Sequence, residues 1–413
     1  MKAGGTRGSR TGRMMPSLFL FLAAACVQPP EGPDKRAIAV GALLPFTGDI
    51  GASGTNIERA LLMVTEQINQ AGGIVGKDVR IASRDTHSDV KRGLEAARSL
   101  IEDAQPLAVL GPENDDLAVE MVPLIRTTST VQISGGVTSP IFTPIDDGGY
   151  WFRTCPSAQE HGHALAERMH LDGVRRAAIL TVSSRYGYGF AAILVNELNA
   201  AGIDVVDPMT FRPDEPTYSG RILELLDHEP DAIVLVAYPK TGAAIIQEWA
   251  ILGGGNSWYF SPTLKADVFI DNVPPGLLEG AVGVAPTVAQ DDGTFALAFS
   301  DRWDGDVPLD VARFYYDAAA LTMLAAAAAS DPGRTPTGSE VRDRVIEVSR
   351  PGGAPITWDR LEEGLALLAA GEEIDYQGVS GEVDLDDRGD LEEGRVAFWT
   401  IDNDRIVPLV SGD

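Results

Sequence analysis

The chain has 413 residues, a net charge of −27 and a hydrophobic content of 44%. This hydrophobic content supports globular folding, and the length suits two lobes better than a single core. A surface this acidic repels nucleic acid and anionic lipid head groups, so nucleic-acid binding is not expected.

The first 25 residues have the layout of a secretory signal. Basic residues precede a short apolar run, Met14–Ala25, which falls short of the roughly 20 residues that span a bilayer. The run ends in L-A-A-A-C at Cys26, which resembles the lipobox at which bacterial lipoproteins are cleaved and lipidated. The alternative is an ordinary signal with a chance cysteine at the cut. We expect a lipoprotein signal peptide over 1–25, a Pro-rich tether over 26–36 and lipid anchoring at Cys26 outside the cytoplasm, in the periplasm or cell envelope.

From residue 37 the pattern alternates between short apolar strands and amphipathic helices. The first set comprises strand 37–44, helix 54–71, strand 79–83, helix 90–101, strand 107–110, helix 117–126, strand 131–133 and strand 150–153. The second set comprises helix 160–171, strand 177–182, helix 190–201, strand 203–206, helix 218–227, strand 232–236 and helix 241–252. The last third predicts an Ala-rich helix 311–329, helices near 339–349 and 360–370, and strands 381–385, 395–401 and 405–409. Such alternation predicts parallel sheets covered by helices on both faces.

Ligands of open α/β sheets bind beyond the carboxyl ends of the strands. The loops at those ends are predicted at 45–54, 111–116, 134–140, 183–189, 237–241 and 261–267. If the two sets of elements form two lobes that face each other, these loops line a cleft between them.

Several short motifs occur in a fixed order along the chain. They are G-A-L-L-P-F-T-G-D-I-G at 41–51, I-N-Q-A-G-G-I at 68–74, R-D-T-H-S-D at 84–89, L-G-P at 110–112, I-S-G-G-V-T-S-P at 133–140, Y-G-Y-G at 186–189, Y-Y-D-A at 315–318 and G-E-V-D-L-D-D-R-G-D-L at 381–391. Together they resemble type I periplasmic binding proteins of the leucine/isoleucine/valine-binding branch, the substrate-binding components of ABC importers. The resemblance runs from about Ala37 to Leu409.

This resemblance implies two doubly wound, Rossmann-like α/β lobes joined by a three-strand hinge. The crossovers are expected near Thr154, Gly283 and Ile374. Lobe I would then comprise 37–154 and 284–373, and lobe II would comprise 155–283 and 374–413. The resemblance further implies closure around a small ligand by hinge bending without covalent chemistry, no cofactor or metal, a monomer, and an ABC permease as partner.

The resemblance also assigns ligand contacts to individual residues, which are Asn114, Asp115, Gly136, Thr138, Tyr186, Tyr238 and Thr263. In lobe I, Gly136 and Thr138 would offer backbone N–H and hydroxyl donors to an anionic group. In lobe II, Tyr186 and Tyr238 would stack on the ligand and donate hydrogen bonds.

Four positions depart from the family pattern. Asn114 and Asp115 occupy positions where the family usually has Ser, and a carboxylate at Asp115 would repel a ligand carboxylate or hold an ammonium group. Thr263 replaces an acid that pairs with the ligand's amino group, with Lys265 nearby, and Ser53 replaces an aromatic residue. Asp115 therefore predicts a cationic group on the lobe I side of the ligand. The departures leave open both a branched-chain amino acid and a ligand with another charge pattern.

Structural alternatives exist for several of these residues. Asn114 and Asp115 could cap the following helix, and the two tyrosines could be packed aromatics at strand ends. His161 and His163 have i,i+2 spacing, which is wrong for a helical metal pair, so both are expected at the surface. Cys155 is expected to be a free, buried, small hydrophobic residue.

The sequence therefore favours a solute-binding protein that captures an amino acid or related small polar metabolite for an ABC importer, and not an enzyme. One alternative is a ligand sensor or cell-envelope scaffold of the same fold. Another is a nucleotide-dependent oxidoreductase, because G-x-G-x-x-A occurs at 187–192 with Asp207 further on. Two features count against an oxidoreductase. Several residues separate the end of the predicted strand from Gly187, and the protein is predicted to be exported.

Overall fold

The computed structural model describes residues 37–253, 255, 257–288 and 293–409, together with Met1, Gly4 and Gly5. The predicted lipidation site at Cys26 and the tether 26–36 lie outside the described residues, as does almost all of the predicted signal peptide. Within the described part of the chain, no helix is long and apolar enough to cross a bilayer.

The first sheet has five parallel strands in the order β2-β1-β3-β4-β5. Its strands are β1 (Ile38–Leu44), β2 (Val79–Asp85), β3 (Ala108–Leu110), β4 (Val131–Ser134) and β5 (Trp151–Arg153). The connecting helices are α1 (Gly54–Gln70), α2 (Val90–Ala104) and α3 (Asp115–Thr128). Every residue of β1 is buried, as its unbroken apolar sequence predicts for a central parallel strand.

The second sheet is built from the next part of the chain. Its strands are β6 (Arg176–Val182), β7 (Asp204–Val205), β8 (Met209–Phe211), β9 (Ala232–Val236), β10 (Ser257–Phe260) and β11 (Val282–Pro286). Its helices are α4 (Ala158–Leu171), α5 (Arg185–Ala200), α6 (Ser219–Leu226), α7 (Pro239–Ile251) and α8 (Asp267–Ile270). Two last strands, β15 (Val396–Asp402) and β16 (Arg405–Pro408), extend this sheet. Its order is β16-β15-β11-β10-β9-β6-β7, with β8 also paired to β6.

Between β11 and those last strands the chain forms a helical segment and a small sheet. The helices are α9 (Thr294–Arg302), α10 (Asp310–Ala328), α11 (Gly338–Val345) and α12 (Leu361–Ala369). The strands are β12 (Ala354–Thr357), β13 (Ile374–Gly378) and β14 (Gly381–Glu382), followed by β15 (Val396–Asp402) and β16 (Arg405–Pro408). In this small sheet β12 and β13 are parallel. Both β15 against β11 and β16 against β15 are antiparallel.

Two large hydrophobic cores define the two lobes. The first core joins the five-stranded sheet to α10 and to β13. The second core joins α4, α5 and α7 to β6, β9, β10 and β11, and includes Trp399 and Ile401 of β15. The chain therefore passes between the lobes after β5, after β11 and before β15, as expected for two α/β lobes with a three-strand hinge.

Two predicted lobe boundaries are wrong. Ile374 and Leu385 lie in the first core, so the third crossover is not near Ile374 and residues 374–385 belong to lobe I. Val284 lies in the second core, so the second crossover follows β11. Residues 374–385 stay with lobe I because a buried carboxylate of α10 binds them. Asp317 accepts hydrogen bonds from the backbone N–H groups of residues 379 and 380, both at 2.9 Å.

Candidate functional site

The amino end of α3 supplies the lobe I side of the site. Asn114 caps this helix, because its Oδ1 accepts a hydrogen bond from the Leu117 N–H at 2.8 Å. The capping alternative for Asn114 is therefore confirmed. Asp115 and Asp116 follow in the first turn, where the positive end of the helix dipole favours carboxylates.

Asp115 is buried, with only 5% of its surface exposed. It does not cap α3, and its Oδ1 accepts from the Ser139 N–H at 3.1 Å. Burial raises the pKa of this carboxyl to about 7, and the Arg153 guanidinium partly opposes the shift. Near neutral pH, Asp115 therefore exchanges between neutral acid and carboxylate.

A second carboxyl group, Glu113, lies in the same loop and was not singled out from the sequence. Its Oε2 accepts a hydrogen bond from the Ser53 hydroxyl at 2.6 Å, and burial raises its pKa to about 7. The side chain covers Gly136, because a Cβ atom at Gly136 would lie 2.6 Å from the Glu113 Cγ. The sequence did contain one signal for Glu113 as a site residue, because it follows a predicted strand and precedes Asp115 by two residues.

The loop after β4 has its own hydrogen-bonding partners. The N–H groups of Gly136 and Val137 each donate to the Ser134 hydroxyl oxygen at 3.1 Å. The Thr138 carbonyl accepts from the Ala158 N–H at 2.8 Å. The Gly136 donor that the sequence assigned to a ligand is thus engaged inside the loop.

Two tyrosines supply the lobe II side. Tyr186 lies in the first turn of α5, and Tyr238 is the residue before α7. Their rings stack with centroids 6.0 Å apart. The Tyr186 hydroxyl lies 3.2 Å from the Thr263 Oγ1, and Thr263 donates to the Ala237 carbonyl at 2.6 Å.

The two sides face each other. The negative charge of Asp115 raises the pKa of both Tyr186, to about 12, and Tyr238, although burial is the larger cause for each. Arg185, the residue before Tyr186, contacts Asp116, the residue after Asp115, so the two sides meet at the amino ends of α3 and α5. We call the group formed by Glu113, Asp115, Tyr186, Tyr238 and Thr263 the interlobe site.

Ion pairs join the lobes beside this site. The Arg185 Nε atom lies 3.3 Å from Asp116 Oδ1, and its Nη2 lies 3.2 Å from Glu120 Oε1. Elsewhere between the lobes, Lys265 Nζ lies 2.9 Å from Asp310 Oδ2. The two Arg185 ion pairs hold α3 against the amino end of α5.

Two local predictions need correction. The loop predicted over 183–189 ends earlier, because the Ser184 hydroxyl accepts from the Gly187 N–H at 3.1 Å and starts α5 at Arg185. His161 was expected at the surface, but it is fully buried and neither ring nitrogen has a hydrogen-bond partner. Burial lowers the pKa of His161 to about 4.

The predictions that His163 lies at the surface and that Cys155 is buried agree with the structure. His163 is exposed and lies 2.8 Å from Glu197. Cys155 is free and buried, and burial raises its pKa to about 12. Over the described ranges, no group of His, Cys, Asp and Glu side chains is arranged to hold a metal ion.

The chain is similar to one protein family and to several curated proteins. The family model described as periplasmic binding protein matches residues 37–398. The chemotactic signal transduction system substrate-binding protein BasB of Halobacterium salinarum is 29% identical over 85% of this chain and 84% of its own length. The Leu/Ile/Val-binding protein BraC3 of Rhizobium johnstonii is 23% identical over 51% of this chain and 57% of its own length. This second alignment therefore spans little more than half of the relative.

Comparison with solved structures shows the same fold. The leucine binding protein LivK of Thermotoga maritima has a TM-score of 0.76 at 18% identity, covering 91% of this chain and 98% of its own. LivJ of Streptococcus pneumoniae in complex with isoleucine has a TM-score of 0.73 at 17% identity, covering 90% and 97%. A solute binding protein of R. palustris in complex with benzoate has a TM-score of 0.70 at 19% identity, covering 90% and 95%.

These relatives are named as binding proteins and not as enzymes. The family match spans most of the chain and both lobes. The chain belongs to the periplasmic binding protein family, with the type I fold of its leucine/isoleucine/valine-binding branch.

Proposed function

We propose that this protein captures an amino acid or related small polar metabolite between its lobes and delivers it to an ABC importer. A ligand that touches both lobes binds the closed form better than the open form, so it shifts the population toward closure. The closed form is the species that the membrane permease would recognise. The protein would act as a monomer and would leave its ligand chemically unchanged.

The observation that carries this proposal is the meeting of both lobes at the interlobe site. Asp115 stands at the amino end of α3 in lobe I, and Tyr186 and Tyr238 stand at the amino ends of two lobe II helices. The Arg185 side chain, beside Tyr186, pairs with Asp116, beside Asp115. Asp115 and both tyrosines follow the carboxyl ends of parallel strands, where α/β sheets bind ligands. Polar groups converging on aromatic walls are typical of a small-molecule site.

The location is part of the proposal. The family description supports a place outside the cytoplasm, and the L-A-A-A-C sequence supports a lipid anchor on Cys26. If this is correct, Cys26→Ser releases the protein from the membrane fraction. A variant that stays membrane-bound would contradict anchoring at this cysteine.

A ligand screen tests the capture function. Thermal-shift screening against amino acids, amides, short peptides and aromatic acids should find a stabilising ligand, whose affinity calorimetry then measures. Tyr186→Phe removes one hydroxyl of the interlobe site and should cost about 0.5 to 1.5 kcal/mol of binding, roughly 2- to 10-fold in Kd.

The matched control is Tyr259→Phe. The Tyr259 hydroxyl donates to Asp172 at 2.7 Å, near the start of β6 and thus at the opposite end of the sheet. This variant should bind as the wild type does. Equal losses in both variants, or none in either, would contradict the site assignment.

Ligand sensing is a second candidate function. Its support is the similarity to BasB, a substrate-binding protein of a chemotactic signal transduction system, which extends over 84% of that protein. Both functions use the same closure, so the partner distinguishes them. Crosslinking in membranes with ligand present should capture a permease if the protein serves import, and a signalling receptor if it serves sensing.

A further inference from the structure

A cavity of about 380 Å³ lies beside β5, the edge strand of the five-stranded sheet. Residues 142–152, α11 and residues 387–389 form its walls. All of these belong to lobe I, and none belongs to the interlobe site. The volume falls in the range of roughly 300 to 1,000 Å³ that is typical of small-molecule pockets.

Packed apolar side chains form much of the lining. They are Phe142, Ile145, Trp151, Phe152 and Ile346. The Phe142 and Trp151 rings stack with centroids 4.1 Å apart, and Ile145 packs against this pair. On the other side, Ile346 packs against the lobe I core, to which Phe152 belongs. The walls are therefore parts of packed clusters, so the cavity does not need a ligand in order to form.

Three acidic residues also line the cavity, and each already has donors of its own. The Asp147 carboxylate accepts hydrogen bonds from two backbone N–H groups, at 2.8 and 3.0 Å. Asp343 accepts from the Arg342 Nε at 2.8 Å. Asp387 pairs with Arg350. The acids of the lining therefore do not require a cation from a ligand.

Two donors at the cavity are unmatched. The backbone N–H of Arg388 donates to Asp386 at 2.8 Å, but its exposed guanidinium makes no ion pair or hydrogen bond with any residue that the structure describes. The Trp151 side chain is 1% exposed, and its Nε1–H has no acceptor in the same part of the chain. A buried N–H without an acceptor costs free energy. The groups left over at this cavity are thus donors, and a ligand that matches them carries acceptor oxygens.

The net charge of −27 acts on the cavity mainly through nearby groups, because charges farther than roughly 8 Å are screened at physiological ionic strength. Among the nearby groups, the acids have partners and Arg388 has none. The local balance therefore favours an anion although the protein as a whole is acidic.

We propose that this cavity, which we call the flank site, binds an amphipathic carboxylate. Its apolar body would lie among Phe142, Ile145, Trp151 and Ile346, and its carboxylate would meet Arg388. Because every lining residue belongs to lobe I, binding there needs no lobe closure. The flank site is thus a second ligand site, and it does not depend on the proposed capture function.

A charge-reversal experiment on the full-length chain tests the inference. The two probes share one ring system: 1-naphthoate carries a carboxylate, and 1-naphthylmethylamine carries an ammonium group. Calorimetry in about 0.15 M salt should show that Arg388→Ala weakens naphthoate about two- to fivefold. Arg388→Glu should weaken naphthoate at least fivefold and strengthen the amine, because an acid then replaces the cation. Acetate, which lacks the apolar body, should show no measurable binding.

The matched control is Arg405→Glu, which reverses another exposed arginine, on β16 of lobe II. It should change the binding of neither probe. Equal losses of naphthoate in Arg388→Glu and Arg405→Glu would show a response to overall charge and would overturn the flank site. Weakening by Tyr186→Phe but not by Arg388→Glu would place naphthoate in the interlobe site and overturn it too. Absence of naphthoate binding to the wild type would also overturn it, and the capture function would stand in all three cases.

Discussion

The substitution Asp390→Asn leaves a buried arginine without its charged partner. The Arg153 side chain is only 1% exposed, and its Nε lies 2.8 Å from Asp390 Oδ1. The Thr143 hydroxyl donates to the other carboxylate oxygen at 2.6 Å. Arginine stays protonated at any accessible pH, so the variant cannot relieve the unpaired charge by losing a proton.

The expected cost follows from the burial of the pair. Removing one partner of a buried ion pair costs about 3 to 5 kcal/mol, because an uncompensated charge remains in the interior. We expect about 3 kcal/mol for Asp390→Asn, since the amide oxygen can still accept a hydrogen bond. Asp387 lies three residues earlier, is 91% exposed and pairs with Arg350. Loss of such an exposed pair costs about 1 kcal/mol at most.

Urea unfolding followed by tryptophan fluorescence measures both variants, provided that the denaturant slope stays unchanged. If Asp390→Asn loses no more unfolding free energy than Asp387→Asn, the argument from burial is wrong. A further check is the double variant Arg153→Met, Asp390→Leu. Replacing both charges with apolar groups should recover most of the loss.

Three further substitutions test other parts of the account. Arg185→Ala removes the ion pairs of α3 with α5, each worth about 0.2 to 1 kcal/mol, and should enlarge the ligand-free protein in X-ray scattering. An unchanged profile would mean that the Arg185 side chain does not help hold the lobes together. Gly187→Ala should lower the melting temperature, because its Cβ would lie 1.9 Å from a strand carbonyl oxygen. The control is Gly220→Ala, whose Cβ would have nothing within 4 Å. It should raise the free energy of unfolding by about 1 kcal/mol through helix propensity. His161→Leu should gain about 2 kcal/mol at about pH 5 relative to neutral pH. Its folded pKa of about 4 lies below the unfolded value, so the unfolded state binds more protons and the histidine costs stability as pH falls from about 6.5 toward 4; equal gains at both pH values would contradict this.

Much of the fold could be predicted because its signals are local. The unbroken apolar run of β1 and the Ala-rich sequence of α10 each fix an element without reference to the rest of the chain, and both predictions are confirmed within a residue or two. Strand β13 reads I-D-Y-Q-G and carries no such signal. It forms by pairing with β12 and by the hydrogen bonds of Asp317 on α10. Its place in lobe I could therefore not be read from its own sequence.

The site shows the same division. Asn114 was identified as a possible cap from its position before a helix, which is local information. Glu113 accepts a hydrogen bond from Ser53, a contact across 60 residues, so nothing nearby in the sequence indicates its place in the site. His161 and His163 lie about 200° apart around a helix, and only the packing of α4 decides that the first faces the core and the second faces solvent.

The three consecutive polar residues at the amino end of α3 make different contacts. Asn114 caps the helix, Asp115 enters the interlobe site and Asp116 binds Arg185 of lobe II. The charge of Asp116 raises the pKa of Asp115, so ionising Asp115 beside an ionised Asp116 costs free energy in this arrangement.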